Sequence, residues 1–339
     1  MDTALAKPDP VRRRCLQLAG FAGLQAVDLS LGVSSLLSTA AASATTAASA
    51  TAAASATAAE PTGSSPPANP QDRRPLEILV LTDTHLGYKG QESARRQWLA
   101  TADELAKAPG KLVLHLGDIV DGGREPQYAV YKELRERIGK PVHEIPGNHD
   151  PAELFARHIR PAIDTVVELD WLRFLLLNNS RPESHDGFLS PRQLDWIDEQ
   201  CSAAARDRKR AILNLHVPAH RNVHPDRGWF MKPADGQTRL YELLANHGDT
   251  VLALFHGHFH NGLRGWDDHP PCHEICFPSA LYNQDRKLRE QQAPGYNLAE
   301  FRPGFTRVTI APDSLRFVYQ PLGGVEGVPH TAPLRQAAP

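Results

Sequence analysis

From Leu76 onward the chain repeats one pattern, a short apolar run followed by a stretch whose apolar positions recur every three or four residues. LEILVL (76–81) leads into QESARRQWLATADELAK (91–107), KLVLHL (111–116) into EPQYAVYKELRERI (125–138), and PVHEI (141–145) into PAELFARHI (151–159). The short runs read as buried strands and the longer stretches as amphipathic helices. Their alternation predicts an α/β domain with parallel strand pairs. VVELDWLRFLLLNNS (166–180) predicts two strands joined near Asp170, followed by a helix with Ser190 as N-cap and Pro191 at its first position. RAILNLH (210–216), RLYELLANH (239–247) and TVLALF (250–255) continue as strand, helix, strand. CHEICFPSA (272–280), FTRVTI (305–310) and LRFVYQ (315–320) read as antiparallel strands, and residues 323–339 as a loose C-terminal tail.

The pattern is absent before residue 75. Residues 1–44 carry Arg12-Arg13-Arg14, then a weakly apolar stretch interrupted by Asp28, then small residues offering sites such as Ala42-Ser43-Ala44. That is the layout of an export signal, and Arg12-Arg13 with Cys15-Leu16-Gln17 resembles the twin-arginine pattern. The expected location is periplasmic or secreted, the alternative being a cytoplasmic protein with an unprocessed basic tail. No apolar run approaches the roughly 18 to 20 residues of a spanning helix, so no transmembrane span is expected. Residues 45–74 are rich in Ala, Ser, Thr and Pro and read as a disordered linker, which leaves 75–322 as the catalytic-sized domain.

A composition of 41% hydrophobic and 22% charged residues is enough to build a sizeable core. Beyond residue 74 the chain carries 31 basic and 34 acidic side chains. An acidic body argues against a stable nucleic-acid partner, whose phosphates need neutralising. Cys201, Cys272 and Cys276 are odd in number, lack C-x-x-C spacing and read as buried thiols. A Cys272–Cys276 disulfide would require a turn, because residues four apart in a strand lie about 13 Å apart.

Metal-ligating side chains fall where the predicted strands stop: LVLTDTH (79–85), LHLGDIVDGG (114–123), HEIPGNHD (143–150), LNLHVPAH (213–220) and LFHGHFH (254–260). Strand carboxyl ends are where open α/β sheets bind ligands. One such fragment is ordinarily a turn or a cap. Five in order, each after a buried strand, point to a shared site.

In this order DxH, GDxxD, GNHD, a single His and GHxH resemble the calcineurin-like metallophosphoesterases, in particular the bacterial branch that includes cyclic-nucleotide phosphodiesterases. The resemblance implies a four-layer sandwich of two mixed β-sheets flanked by helices, with two metal ions at one edge. It places Asp83, His85 and His260 on one ion, Asn148, His216 and His258 on the other, and Asp118 between them. Imidazole and amide donors without thiolates suit Mn, Fe or Zn. A hydroxide held between the ions is the implied nucleophile, with His149 as general acid oriented and raised in pKa by Asp121. The reading is a phosphoric ester hydrolase acting on a small phosphate ester. A catalytically inactive, metal-stabilised binding protein and a nucleotide- or phospholipid-specific phosphatase are the alternatives.

Departures narrow the class. Gly122 and Pro146 stand where Ser/Thr protein phosphatases carry phosphate-gripping arginines, and Asp121 stands where purple acid phosphatases carry a tyrosine. The segment 216–236, with His220, Arg221, His224 and Trp229, and the stretch around Tyr282 are candidates for substrate contact. His220, Arg221, His224 and Tyr282 are the residues named for it. Asp150 reads as a helix cap or a partner of the site. His115, His143 and His158 read as structural, and His256 as strand-end packing. Gly257 is expected to let the backbone turn into the site.

Overall fold

The computed structural model describes residues 72–221, 228–260, 262–263, 272–283 and 298–335. In chain order its elements are β1 (Leu76–Leu81), α1 (Gln91–Lys107), β2 (Val113–His115), α2 (Glu125–Arg135), β3 (Val142–Glu144), α3 (Ala152–His158), β4 (Thr165–Leu169) and β5 (Leu172–Leu176). Then come α4 (Pro191–Arg206), β6 (Arg210–Asn214), α5 (Gln237–Asn246), β7 (Val251–His256), β8 (His273–Cys276), β9 (Gly304–Ile310), β10 (Ser314–Pro321) and β11 (His330–Pro333).

The strands form a six-stranded sheet, β11-β10-β9-β1-β2-β3, and a five-stranded sheet, β4-β5-β6-β7-β8. Pairing is parallel through β1, β2 and β3 and through β5, β6, β7 and β8. It is antiparallel where β9, β10 and β11 extend the first sheet and where β4 edges the second. Both sheets are therefore mixed.

Successive residues of β1 explain the layering, because Ile78 and Val80 face one core while Leu79 and Leu81 face another. A strand covered on both faces must be apolar throughout, which is why LEILVL shows almost no polar alternation. The central core brings Ile78, Val80 and Leu114 of one sheet against Phe174, Ile212, Phe255 and Ile275 of the other. Leu79, Leu81 and Val113 pack outward on Trp98 and Leu105 of α1 and on Tyr128, Tyr131 and Leu134 of α2. Leu175, Leu213 and Leu254 pack on Leu194 and Ile197 of α4 and on Leu240 and Leu244 of α5. Burying each such side chain contributes about 1.5 to 3 kcal/mol. These three cores produce four layers, helix, sheet, sheet, helix, as the resemblance implied.

Two expectations are corrected. CHEIC does not join the C-terminal antiparallel strands: β8 lies at the edge of the five-stranded sheet, parallel to β7. Sixteen residues, 257–272, separate the two strands, and a parallel neighbour needs a connection of such length. Nor is 323–339 a loose tail, since β11 pairs with β10 from Ser314↔Pro333 to Phe317↔His330. Ala332 and Leu334 are buried in the central core. Its prolines hid this strand, although an edge strand tolerates a residue that cannot donate to the ladder. Cys201, Cys272 and Cys276 are buried and form no disulfide with one another, as expected. Among the described residues no helix is long and apolar enough to cross a membrane.

Helix α4 begins with a reciprocal cap: Gln193 N donates to Ser190 Oγ at 3.3 Å, and Ser190 N donates to Gln193 Oε1 at 3.0 Å. Gln193 Nε2 also donates to Asn178 O at 2.8 Å, tying the helix start to the loop after β5. Ser190→Ala should lower stability by about 1 kcal/mol. A urea titration that shows a lower midpoint at constant slope checks this, and an unchanged midpoint contradicts it.

Candidate metal centre

The parallel strands of each sheet deliver their carboxyl ends to one edge, and the loops leaving β1 and β2 stay bonded beyond the strands. Asp83 N donates to Gly117 O at 2.9 Å, His85 N to Asp118 O at 3.0 Å and Asp121 N to Leu86 O at 2.8 Å. The second sheet joins through His258 N to Asp83 Oδ2, 3.1 Å, and Ala280 N to Thr82 O, 2.8 Å. DxH, GDxxD, the single His and GHxH, scattered over 178 residues of sequence, thereby meet.

Three groups of donors result. Asp83, His85 and His260 form one, Asp118, His216 and His258 a second, and His85, Asp118 and His149 a third. In the first, His260 Nε2 lies 3.1 Å from both Asp83 Oδ1 and His85 Nε2. In the second, His216 Nε2 lies 3.2 Å from His258 Nδ1. Asp118 Oδ2 links the two, at 3.4 Å from His85 Nε2 and 3.3 Å from His216 Nε2. Its other oxygen accepts from His149 N at 2.8 Å.

The residues fit a pair of cations. Asn148 is buried and its Oδ1 has no hydrogen-bond partner. Leaving a buried polar atom unsatisfied costs about 1 to 3 kcal/mol, a cost that a coordinated cation removes. The imidazoles are also oriented from behind. His216 Nδ1 donates to Leu116 O at 2.7 Å and His260 Nδ1 to Tyr282 O at 3.1 Å, while His85 Nδ1 faces Asp121 Oδ1 at 3.4 Å. Each arrangement leaves Nε2 aimed at the centre, the tautomer a metal ligand needs.

Backbone strain gathers at the same residues. Asp83, His85, Asp118, His258 and His260 all have positive φ, between 41° and 75°. Non-glycine residues rarely adopt this region, and such strain concentrates at functional sites. The motif glycines serve a different need. A Cβ on Gly147 would lie 2.2 Å from Asp118 Oδ1, and one on Gly257 would lie 2.0 Å from Thr82 Oγ1 and 2.6 Å from Asp83 Oδ2. Gly257 is thus required for close approach to the first strand's loop, not for the turn expected of it.

Charge is distributed accordingly. Burial alone would raise the Asp83 and Asp118 carboxyls, yet both are held far below the usual range, Asp83 by His260 and Asp118 by His216. Burial pulls His216 down, but Asp118 outweighs it and carries the imidazole up to about 9. His85 is raised against burial by Asp118, whereas burial and the neighbouring His216 push His258 well down. The carboxylates attract positive charge to the positions where cations would sit, and metal binding would release these protons.

His149 presents a half-buried ring edge-on to His85, with centroids 4.6 Å apart. Its Nδ1 is 3.5 Å from Asp121 Oδ1, beyond good hydrogen-bond distance. Asp121 is expected to raise the pKa of His149, and here the structure differs: burial outweighs it and leaves His149 below its ordinary value. The same Asp121 oxygen also faces His85, so its charge is shared with a metal-ligand candidate. Asp150 does not cap α3, whose N-cap is Pro151. Its buried carboxylate accepts from Ile119 N (2.9 Å), Val120 N (3.2 Å), Gly147 N (2.9 Å) and Tyr128 Oη (3.0 Å), fastening the GDxxD loop to the GNHD loop.

The remaining candidates separate. His220 is buried with its Nδ1 on Glu274, whose Oε1 also accepts from Ala219 N at 2.8 Å. That contact anchors the loop after β6. Arg221 is exposed, and His224 lies outside the described residues. Tyr282 is partly exposed with its ring 4.6 Å from that of His260. His256 is fully buried, belongs to none of the three donor groups, and burial lowers its pKa to about 4. His115 is buried with Nε2 3.0 Å from Thr84 Oγ1, and His158 Nε2 lies 2.9 Å from Glu125 Oε1.

Sequence reasoning missed three residues. Asn179 Oδ1 accepts from His216 N (3.0 Å) and Val217 N (3.1 Å), and Ser279 Oγ donates to Asp83 O at 2.9 Å. His185 stacks on Trp229 beside His258. None carries a signal, because each acts across the fold from a stretch without periodicity or motif.

Known proteins resemble this chain in sequence and in fold. Residues 76–262 match the family model for calcineurin-like phosphoesterases. The chain is 30% identical over 204 residues to a probable cyclic nucleotide phosphodiesterase of Rhodococcus erythropolis, covering 55% of this chain and 66% of that one, just under two thirds. It is 28% identical over 200 residues to a probable glycerophosphodiester phosphodiesterase of Arcobacter nitrofigilis, covering 54% and 71%. A dimetal phosphatase from Danio rerio superposes with a TM-score of 0.55 at 15% identity, over 76% of this chain and 99% of that one, a likeness of fold.

The histidines of FHGHFH are not equivalent in this geometry. His258→Ala and His260→Ala should each lose about one metal ion per chain, whereas His256→Asn should retain the wild-type content. Elemental analysis of the purified variants checks this, and equal loss from all three contradicts it.

Proposed function

The chain belongs to the calcineurin-like phosphoesterase family, and we propose that it is a two-metal phosphodiesterase that hydrolyses small phosphoric diesters. The observation that carries this reading is Asp118 Oδ2, set within 3.4 Å of His85 and 3.3 Å of His216 so that one carboxylate serves both donor groups. Asp83, His85 and His260 would hold one cation, Asn148, His216 and His258 the other, and Asp118 both. When bound, the cations supply the charge that draws in a phosphate ester and lets water lose its proton near neutral pH.

The chain's own residues supply the rest. The His149 amide fixes Asp118 Oδ1 at 2.8 Å, leaving Oδ2 directed at the centre. The His149 imidazole, half-buried beside His85, is placed to give a proton to the departing alkoxide from Nε2, the nitrogen not facing Asp121. Gly122 and Pro146, at positions where protein phosphatases carry arginines, leave fewer cations for a monoester dianion. A diester monoanion needs less neutralisation. Two curated relatives named as phosphodiesterases support the same preference.

Bis-p-nitrophenyl phosphate and p-nitrophenyl phosphate, assayed with Mn or Zn, test the reading, with the diester expected to turn over faster. Asp118→Asn should lose metal and activity together. His149→Ala should keep its metal and slow turnover by about 100- to 10,000-fold. No turnover of either ester by protein carrying two metals would favour a binding protein on this scaffold.

A further inference from the structure

Two aromatic stacks adjoin the metal-ligand groups, and the chemistry above uses neither. At the His258 end, His185 and Trp229 stack with centroids 4.3 Å apart and planes 19° from parallel. Both rings lie close to His258, at 5.7 and 5.5 Å. At the His260 end, Tyr282 lies 4.6 Å from the His260 ring and stacks on Tyr88 at 5.3 Å and 26°. The Lys89 ammonium adds a cation 5.3 Å from the Tyr88 ring. The four rings come from the loops after β1, β5, β6 and β8, so only the fold brings them to the site.

His185 is exposed and Tyr282 is one of the few large apolar side chains at the surface of the described residues. An aromatic ring held at the mouth of a polar site is a contact surface for a planar group. The two ester arms of a phosphodiester diverge from phosphorus. With phosphorus near Asp118, the two stacks flank the site on its His260 and His258 sides. A glycerol arm gains little from an aromatic face, whereas a nucleobase stacked on one gains about 5- to 100-fold in binding.

Resting on the phosphodiesterase reading, we propose that His185–Trp229 and Tyr88–Tyr282 are specificity walls that select phosphodiesters bearing a planar aromatic arm, of the nucleotide type, over those with glycerol-type arms. Each stack engages an ester arm and neither touches the phosphate.

Calorimetric titration of the metal-loaded protein with adenosine 5′-monophosphate and with glycerol 3-phosphate tests this without turnover. The wild type should bind the nucleotide about tenfold more tightly or better, and His185→Ala and Tyr282→Ala should each reduce that ratio about fivefold or more. Both side chains are exposed, and an unchanged thermal midpoint verifies that the variants fold. A ratio unchanged in both variants overturns the proposal; a change in one alone keeps that wall and overturns the other. Turnover of bis-p-nitrophenyl phosphate by the wild type with unchanged ratios sinks the walls only, while absent turnover sinks the reading beneath them.

Discussion

Two fully buried carboxylates, Asp83 and Asp118, surrounded by five imidazoles set the constraint on which the rest of this structure depends. Ionised acids removed from water require compensating charge close by. The protein supplies it with His260 against Asp83 and His216 against Asp118, and the geometry that does so is also a ligand set for two cations. Structural compensation and metal affinity thus arise from one arrangement.

Holding that arrangement takes more than the motif side chains. Five of the ligand candidates sit at positive φ, a cost the surrounding contacts must offset. Asp150 fastens two of the loops, Asn179 clamps the backbone around His216, and Ser279 holds the carbonyl of Asp83. Two glycines let ligand carboxylates lie against the main chain. The strands beneath are buried on both faces, so the loops grow from a rigid base and not from a mobile rim.

What could be read from the sequence follows from how local each signal is. LEILVL and TVLALF declare themselves because burial on both faces removes polar alternation, and Ser190-Pro191 announces α4 because capping is a short-range effect. The ligand candidates stand out because each follows a strand end within a few residues. By contrast β11 was hidden by its prolines, and the parallel pairing of β8 depends on a crossover whose path the sequence does not encode locally. Asp150, Asn179 and His185 act on residues brought near by folding alone. The contact of His220 with Glu274, on a strand 54 residues away, is likewise set by the fold alone.

The central claim is that Asp118 is shared by two ions. Anomalous diffraction at the metal absorption edge, from crystals of the protein loaded with Mn or Zn, measures this directly. The account predicts two peaks about 3.5 to 4 Å apart, with an Asp118 carboxylate oxygen bound to both and Asn148 Oδ1 bound to one. A single peak, or two peaks that Asp118 does not join, would contradict it.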